Sequence, residues 1–389
     1  MDHAAATPVS EGALRAMAAA AKKFLGNPSA IHREGKAARA VLEGARAQIA
    51  GELAAHPDEI IFTSGATEAN NMALQCVVRA AHARGIVRPH IIISAVEHPS
   101  VLETARILAG EHTRVEILPV DERGLVNPRE LRKLITPETV LVSVMYANNE
   151  IGTIEPIADL AKEIRHARKV NGSAYPYFHT DAAQAANYLD INVARLGVDM
   201  MTLSSGKTYG PRGIGALFVK RGVKLNPLMH GGEHEDGRRP GTEPVALAVG
   251  FATALAEART MSAKESKRVQ KLRDSLAEKI IKKISGCTVN GNLENSLPNI
   301  LNLSIDGVES DALVLYLDAV GIAVSGKSAC KSSDSVSSHV ILAVMGKREG
   351  VIRFSLGRET TSADIARVVS ELSRIVPLLR EARAQSDVI

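Results

Sequence analysis

The chain has 389 residues, 45% hydrophobic and 23% charged, a balance that excludes disordered, collagen-like and other low-complexity architectures. At about 100–200 residues per domain, two or three domains with ample core are expected. A net charge of only +4, with 3% aromatic residues and no Trp, offers few stacking platforms and little basic surface, so no direct nucleic-acid binding is expected.

From the N-terminus, short apolar β-branched runs alternate with longer Ala- and Leu-rich helical stretches. Strands are expected at Glu59–Thr63, His90–Ser94, Arg114–Pro119, Val140–Met145, Tyr175–Thr180, Met200–Ser204 and Ile214–Val219. Most are continuous apolar runs, as in strands buried on both faces. Helices are expected between them at about Gly35–Ala55, Glu68–Arg84, Ser100–Gly110 and Ile157–Lys169. Such alternation predicts an α/β fold with a mostly parallel sheet covered on both sides. After Gly241 the pattern changes to two long helices, Pro244–Arg259 and Ala263–Ile284. Short strands at Ile300–Leu303 and Val351–Phe354 follow, with helices at Ser310–Ala319 and Ser362–Ala384, as in a smaller α+β domain. Two long polar loops, Met229–Gly241 and Ser325–Ser338, are expected to be functional.

No apolar run approaches the roughly 20 residues of a membrane span. Met1-Asp2-His3 carries an early acid and no apolar h-region, so no secretory signal is expected. Cys76, Cys287 and Cys330 are too widely spaced for a disulfide framework or a metal knuckle. A cytoplasmic location without membrane contact or a resident metal site is the resulting expectation.

Chemistry gathers at the ends of the expected strands. Thr63-Ser64-Gly65-Ala66-Thr67-Glu68 joins a strand to a helix start, where small residues and free N–H groups favour an anion. Thr67 could alternatively serve only as the helix cap. Asp181 is placed just past a buried strand, where open α/β sheets bind ligands; it could instead cap a following helix. Lys207 follows another strand among small residues and glycines, a setting that can lower the pKa of an amine and make it a Schiff-base nucleophile. An anion site, a carboxylate and a lysine at one sheet edge are what pyridoxal 5′-phosphate (PLP) requires. Cys330 lies in a polar loop between Lys327 and Lys331, and nearby positive charge favours the thiolate. Cys76 and Cys287 are expected to be buried small hydrophobes.

Taken together, these segments resemble the cysteine desulfurases of the NifS/IscS type, class V of the fold-type-I PLP enzymes. The resemblance runs from Asp2-His3-Ala4-Ala5-Ala6-Thr7-Pro8 to Ile352-Arg353-Phe354-Ser355-Leu356-Gly357-Arg358. It includes Gly26-Asn27-Pro28-Ser29, Phe62–Asn70, Glu97-His98, Asn148-Asn149-Glu150-Ile151-Gly152, Asp181-Ala182-Ala183-Gln184, Lys207–Gly213, Arg239-Pro240-Gly241-Thr242 and Ser328-Ala329-Cys330. It implies a seven-stranded, mostly parallel sheet in a large PLP-binding domain (residues 12–250). A small α+β domain (1–11 and 251–389) would carry the Cys330 loop.

The resemblance also implies roles. Lys207 would bind the cofactor aldehyde, Asp181 the pyridinium N–H and Gln184 the ring 3-oxygen, while His98 would stack on the ring and assist proton transfer. Ala66, Thr67 and Ser204 would hold the phosphate, and Thr242 would reach a phosphate across a homodimer interface. Asn149 would lie at cofactor and substrate, and Arg353 would take the substrate carboxylate as a fork. Lys207 or His98 would remove the Cα proton of L-cysteine. Cys330 would accept the sulfur as a persulfide, leaving alanine, and pass it to an acceptor or iron–sulfur scaffold protein, serving also as a transient cluster ligand. The product would supply iron–sulfur clusters, cofactors or tRNA. A selenocysteine lyase, another class V lyase or aminotransferase, and a non-catalytic sulfur-relay or scaffold homologue are the competing readings. Two positions depart from the family pattern. Gly206 replaces a His that contacts the phosphate, predicting weaker cofactor retention, and Lys327 replaces a loop glycine. The first strand is expected to be short or absent.

Overall fold

The computed structural model describes residues 1–326, 338–346 and 348–386. Seven strands form the main sheet: β1 (Ile60–Thr63), β2 (His90–Ser94), β3 (Arg114–Leu118), β4 (Thr139–Ser143), β5 (Tyr177–Asp181), β6 (Met200–Ser204) and β7 (Gly215–Val219). Their order is β1-β7-β6-β5-β4-β2-β3. Only β7 runs against its neighbours, pairing antiparallel with both β1 and β6. The sheet is therefore mostly parallel, with all of β2, β4 and β5 buried. Apolar side chains from alternate strand positions enter two cores: Ile60, Ile92, Val142 and Phe178 on one face, Ile61, Ile93, Leu141 and Tyr177 on the other. This two-sided burial explains the continuous apolar runs.

A second sheet, ordered β10-β9-β8, comprises β8 (Cys287–Val289), β9 (Ile300–Ile305) and β10 (Ile352–Ser355), all antiparallel. β8 is a strand that the sequence reading passed over. The helices Ser310–Ala319 and Ser362–Ser386 accompany this sheet, and Leu313, Leu317, Ile365 and Leu372 share its core with Leu301 and Phe354. The expected first strand is reduced to one bridge, Asp2 to Ser355.

The two helices expected beyond Gly241 are one, Val245–Lys283, of 39 residues. No Gly or Pro interrupts it after Gly250, and the Thr260 hydroxyl at the expected break donates back to Ala256 O at 2.9 Å, absorbing a polar side chain without ending the helix. Phe251 and Leu255 enter the main core, and Leu276 and Ile280 enter the core of the smaller sheet, so one rod joins both. The division placed at residues 250 and 251 falls inside this rod. Helices at Glu11–Lys23, capped by Ser10, and at Pro128–Leu134, capped by Asn127, add to those expected.

Cys76 is buried and Cys287 half-buried. Among the described residues, no helix is long and apolar enough to cross a membrane.

Candidate active site

The loop after β1 turns into the helix Ala66–Ala83, whose N-cap is Gly65. Thr67 is thus the second helical residue and not the cap. The N–H groups of Ala66, Thr67 and Glu68 have no carbonyl within the helix to bond, which suits an anion. Glu68 turns back to accept from Ser64 N at 2.6 Å and pairs with Arg239 at 2.7 Å, fixing the loop. Gly215 stands opposite Thr63 on one side and Ser204 on the other. A Cβ there would lie 2.7 Å from Leu203 O and 2.8 Å from the Gly65 Cα and carbonyl carbon. Only glycine at this position lets the loop sit this close to β7.

Asp181 is the last residue of β5, not a residue beyond it. No helix follows, yet its Oδ1 does accept from Ala183 N at 2.9 Å. Its Oδ2 accepts from Asn70 Nδ2 at 2.7 Å. The same nitrogen lies 2.8 Å from Ser100 Oγ, which lies 2.8 Å from His98 Nδ1. A hydrogen-bonded chain therefore links Asp181 to His98 through two elements. Asn70 is fully buried on the helix Ala66–Ala83, and Ser100 is the second residue of the helix Pro99–Gly110, which His98 caps. Burial lowers the His98 pKa, with Asp181 opposing and Lys207 reinforcing the shift.

Lys207 closes a short turn after β6, Ser205–Lys207. Its Nζ donates to the carbonyls of Ala4, at 2.7 Å, and Ala5. Gln184 Nε2 donates to the same Ala4 carbonyl at 2.9 Å. Thr7 N donates to Gly206 O at 3.0 Å and Asn187 Nδ2 to Lys207 O at 2.7 Å. The N-terminal segment is thus laid along the lysine turn. At Gly206 a Cβ would meet Arg212 Cγ at 3.3 Å, a contact with the flexible part of a side chain.

Arg353 on β10 donates through one arm to the main-chain O of Asn149 at 2.9 Å. Its other arm lies 2.8 Å from both Asp2 Oδ1 and Ser325 Oγ. Asn149 and Arg353 meet, but through the peptide of Asn149. Ser325 precedes the segment that holds Cys330, Lys327 and Lys331, all of which lie outside the described residues. Thr242 is exposed.

Two buried groups complete the surroundings. Glu97, fully buried, accepts at Oε1 from Ser94 Oγ (2.6 Å) and Met145 N (2.7 Å), while Oε2 has no hydrogen-bond partner among the described residues. Burial, helped by Asp181, pushes its pKa up to about 8. His179, fully buried between Ser143 and Thr202, is pushed down to about 3 by burial alone. Asn70, Ser100 and Glu97 drew no role from the sequence. The signal available for Asn70 was a carboxamide in an otherwise apolar helix face.

The aminotransferase class-V family matches residues 1–368. A relative from Dictyoglomus turgidum, described as cysteine desulfurase IscS, is 43% identical over 383 residues, covering 98% of this chain and 95% of the relative. Another cysteine desulfurase IscS, from Methanosarcina thermophila, is 42% identical over 384 residues, covering 98% and 92%. Among solved structures, one described as a NifS-like protein superposes with a TM-score of 0.89 at 34% identity, covering 97% of this chain and 99% of its own. DndA from Streptomyces lividans gives 0.75 at 34% identity, covering 91% and 98%. With nearly its whole length matched, and with the seven-stranded sheet of the NifS-like fold, the chain belongs to the aminotransferase class-V family.

Proposed function

We propose that the protein is a PLP-dependent cysteine desulfurase of the IscS type, converting L-cysteine to L-alanine with sulfur transfer to Cys330. The observation that carries this reading is the convergence of the Lys207 amine, the Asp181 carboxylate and the His98 imidazole at the carboxyl edge of one sheet. The relatives described as cysteine desulfurases support it.

The donor set fits PLP. His98 feels both Asp181 and Lys207 electrostatically, which supports their acting on one bound group. When bound, PLP supplies an electron sink that makes the substrate Cα–H acidic. Lys207 would tether it and Asp181 would pair with its ring nitrogen. His98 would cover its face, Gln184 would reach its ring oxygen, and the N–H groups of Ala66 and Thr67 with Ser204 would take its phosphate. Asn70 holds Asp181 in place through its amide N–H. Arg353, anchored by the Asn149 carbonyl and Asp2, would grip the substrate carboxylate through its planar fork. The role of Cys330 rests on its sequence setting. Thr242, exposed beside the Arg239–Glu68 pair, is proposed to meet a second copy of the chain in a homodimer. A sulfur-acceptor or scaffold protein would take the product sulfur, in the cytoplasm.

The test is anaerobic incubation with L-cysteine, measuring alanine and Cys330-bound sulfur together. Both should appear in wild type. Cys330→Ser should keep the yellow cofactor and lose the persulfide. Alanine formation without sulfur on Cys330, or no turnover at full cofactor occupancy with thiol acceptors present, would overturn the proposal.

A further inference from the structure

The chain of contacts from Asp181 to His98 constrains where protons sit. Both oxygens of Asp181 serve as acceptors, from Ala183 N and from Asn70. The Asn70 atom beside it must then be the amide nitrogen and not the oxygen, since two oxygens 2.7 Å apart without a proton would repel. That nitrogen also donates to Ser100 Oγ at 2.8 Å. Ser100 has one hydroxyl proton, and with its oxygen accepting from Asn70 that proton is directed to His98 Nδ1, 2.8 Å away. Independently, the Ser100 backbone N–H donates to the same Nδ1 at 3.1 Å. Two donors thus face one ring nitrogen, which can only accept.

We infer that Asn70 and Ser100 are positioning residues that hold His98 as a neutral imidazole with its proton on Nε2, making it a hydrogen-bond donor and not a base. The inference rests on the proposed desulfurase reading only for its consequence: of Lys207 and His98, Lys207 is left to remove the Cα proton. Protonating His98 would put a hydrogen on Nδ1 against the Ser100 N–H. Of the groups acting on the ring, Asp181 and Glu150 favour its charge, Lys207 and His339 oppose it, and burial outweighs them. Asn70 and Ser100 act through the atoms of Asp181 and His98 that they touch.

The test is the tautomer itself, read from one-bond and long-range 1H–15N correlations of holoprotein labelled with 15N-histidine. His98 is identified among the twelve histidines by the signal lost in His98→Gln. Wild type should show an unprotonated, hydrogen-bond-accepting Nδ1 and a protonated Nε2 across neutral pH. Ser100→Ala removes the hydroxyl donor but keeps the main-chain N–H, so Nδ1 should remain unprotonated while its 15N resonance moves toward that of a more weakly hydrogen-bonded nitrogen. Asn70→Ala, which frees the Ser100 hydroxyl to turn, should shift it in the same direction by less. A protonated Nδ1 in wild type, or an Nδ1 resonance unmoved in both variants, would overturn the inference. The wild-type spectrum decides the tautomer even where a variant fails to fold. It is recorded before cysteine is added, so failure of the desulfurase reading would leave it intact.

Discussion

Glu97 makes the stability of this protein depend on pH in a direction opposite to most carboxylates. Its Oε1 is engaged by Ser94 and Met145, its Oε2 has no hydrogen-bond partner among the described residues, and no part of the residue reaches solvent. Ionising it would bury a charge with no ion-pair partner among the described residues, so burial lifts its pKa from 4.5 to about 8. With the folded pKa above the unfolded one, the folded state holds a proton that the unfolded chain releases, and stability falls as pH rises from about 4.5 to 8. Integrating that difference gives a loss of roughly 3 to 4 kcal/mol between pH 5 and pH 8. Glu97→Gln keeps the acceptor oxygen and cannot ionise. The variant should match wild type within about 1 kcal/mol at pH 5 and exceed it by roughly 3 kcal/mol at pH 8. The assay is the urea midpoint of both holoproteins at intervals across that range. Parallel curves for the two proteins, or a variant weaker than wild type at pH 8, would refute the reasoning. Glu155 is also pushed up to about 8 by burial and adds to the upward shift of Glu97, so a slope of its own appears in both curves.

Two further outcomes follow from the geometry. Gly215→Ala places a Cβ against the main chain of Leu203 and Gly65; it should cost about 1–3 kcal/mol in urea unfolding. It should also speed cofactor loss on dialysis, and wild-type values for both would show that this close approach does not set the loop. Arg353→Lys keeps the charge but loses the fork. KM for cysteine should rise about 10- to 100-fold with kcat nearly unchanged in steady-state assays, and an unchanged KM would remove Arg353 from carboxylate recognition.

What the amino-acid sequence determined was the local order of things. The apolar runs marked all seven strands of the main sheet, and the small-residue turns marked where Ala66 and Lys207 would stand relative to strand ends, whereas Asp181 closes β5 and does not lie past it. Those features are legible because strand burial and turn chemistry act within about ten residues. The motif resemblance added the family. The break expected near Thr260 failed for an equally local reason, since a hydroxyl that bonds back along its own helix looks the same in sequence as one that ends it. What only the tertiary structure decided were pairings between distant segments. Lys207 meets Ala4 and Ala5, Arg353 meets Asp2 and Asn149, and Asn70 bridges Asp181 to Ser100. Such contacts depend on which faces of separate elements are brought together when the sheet and helices pack. A polar side chain in an apolar stretch shows that a buried partner must exist, but its identity is set by three-dimensional closure and not by any neighbour in the chain.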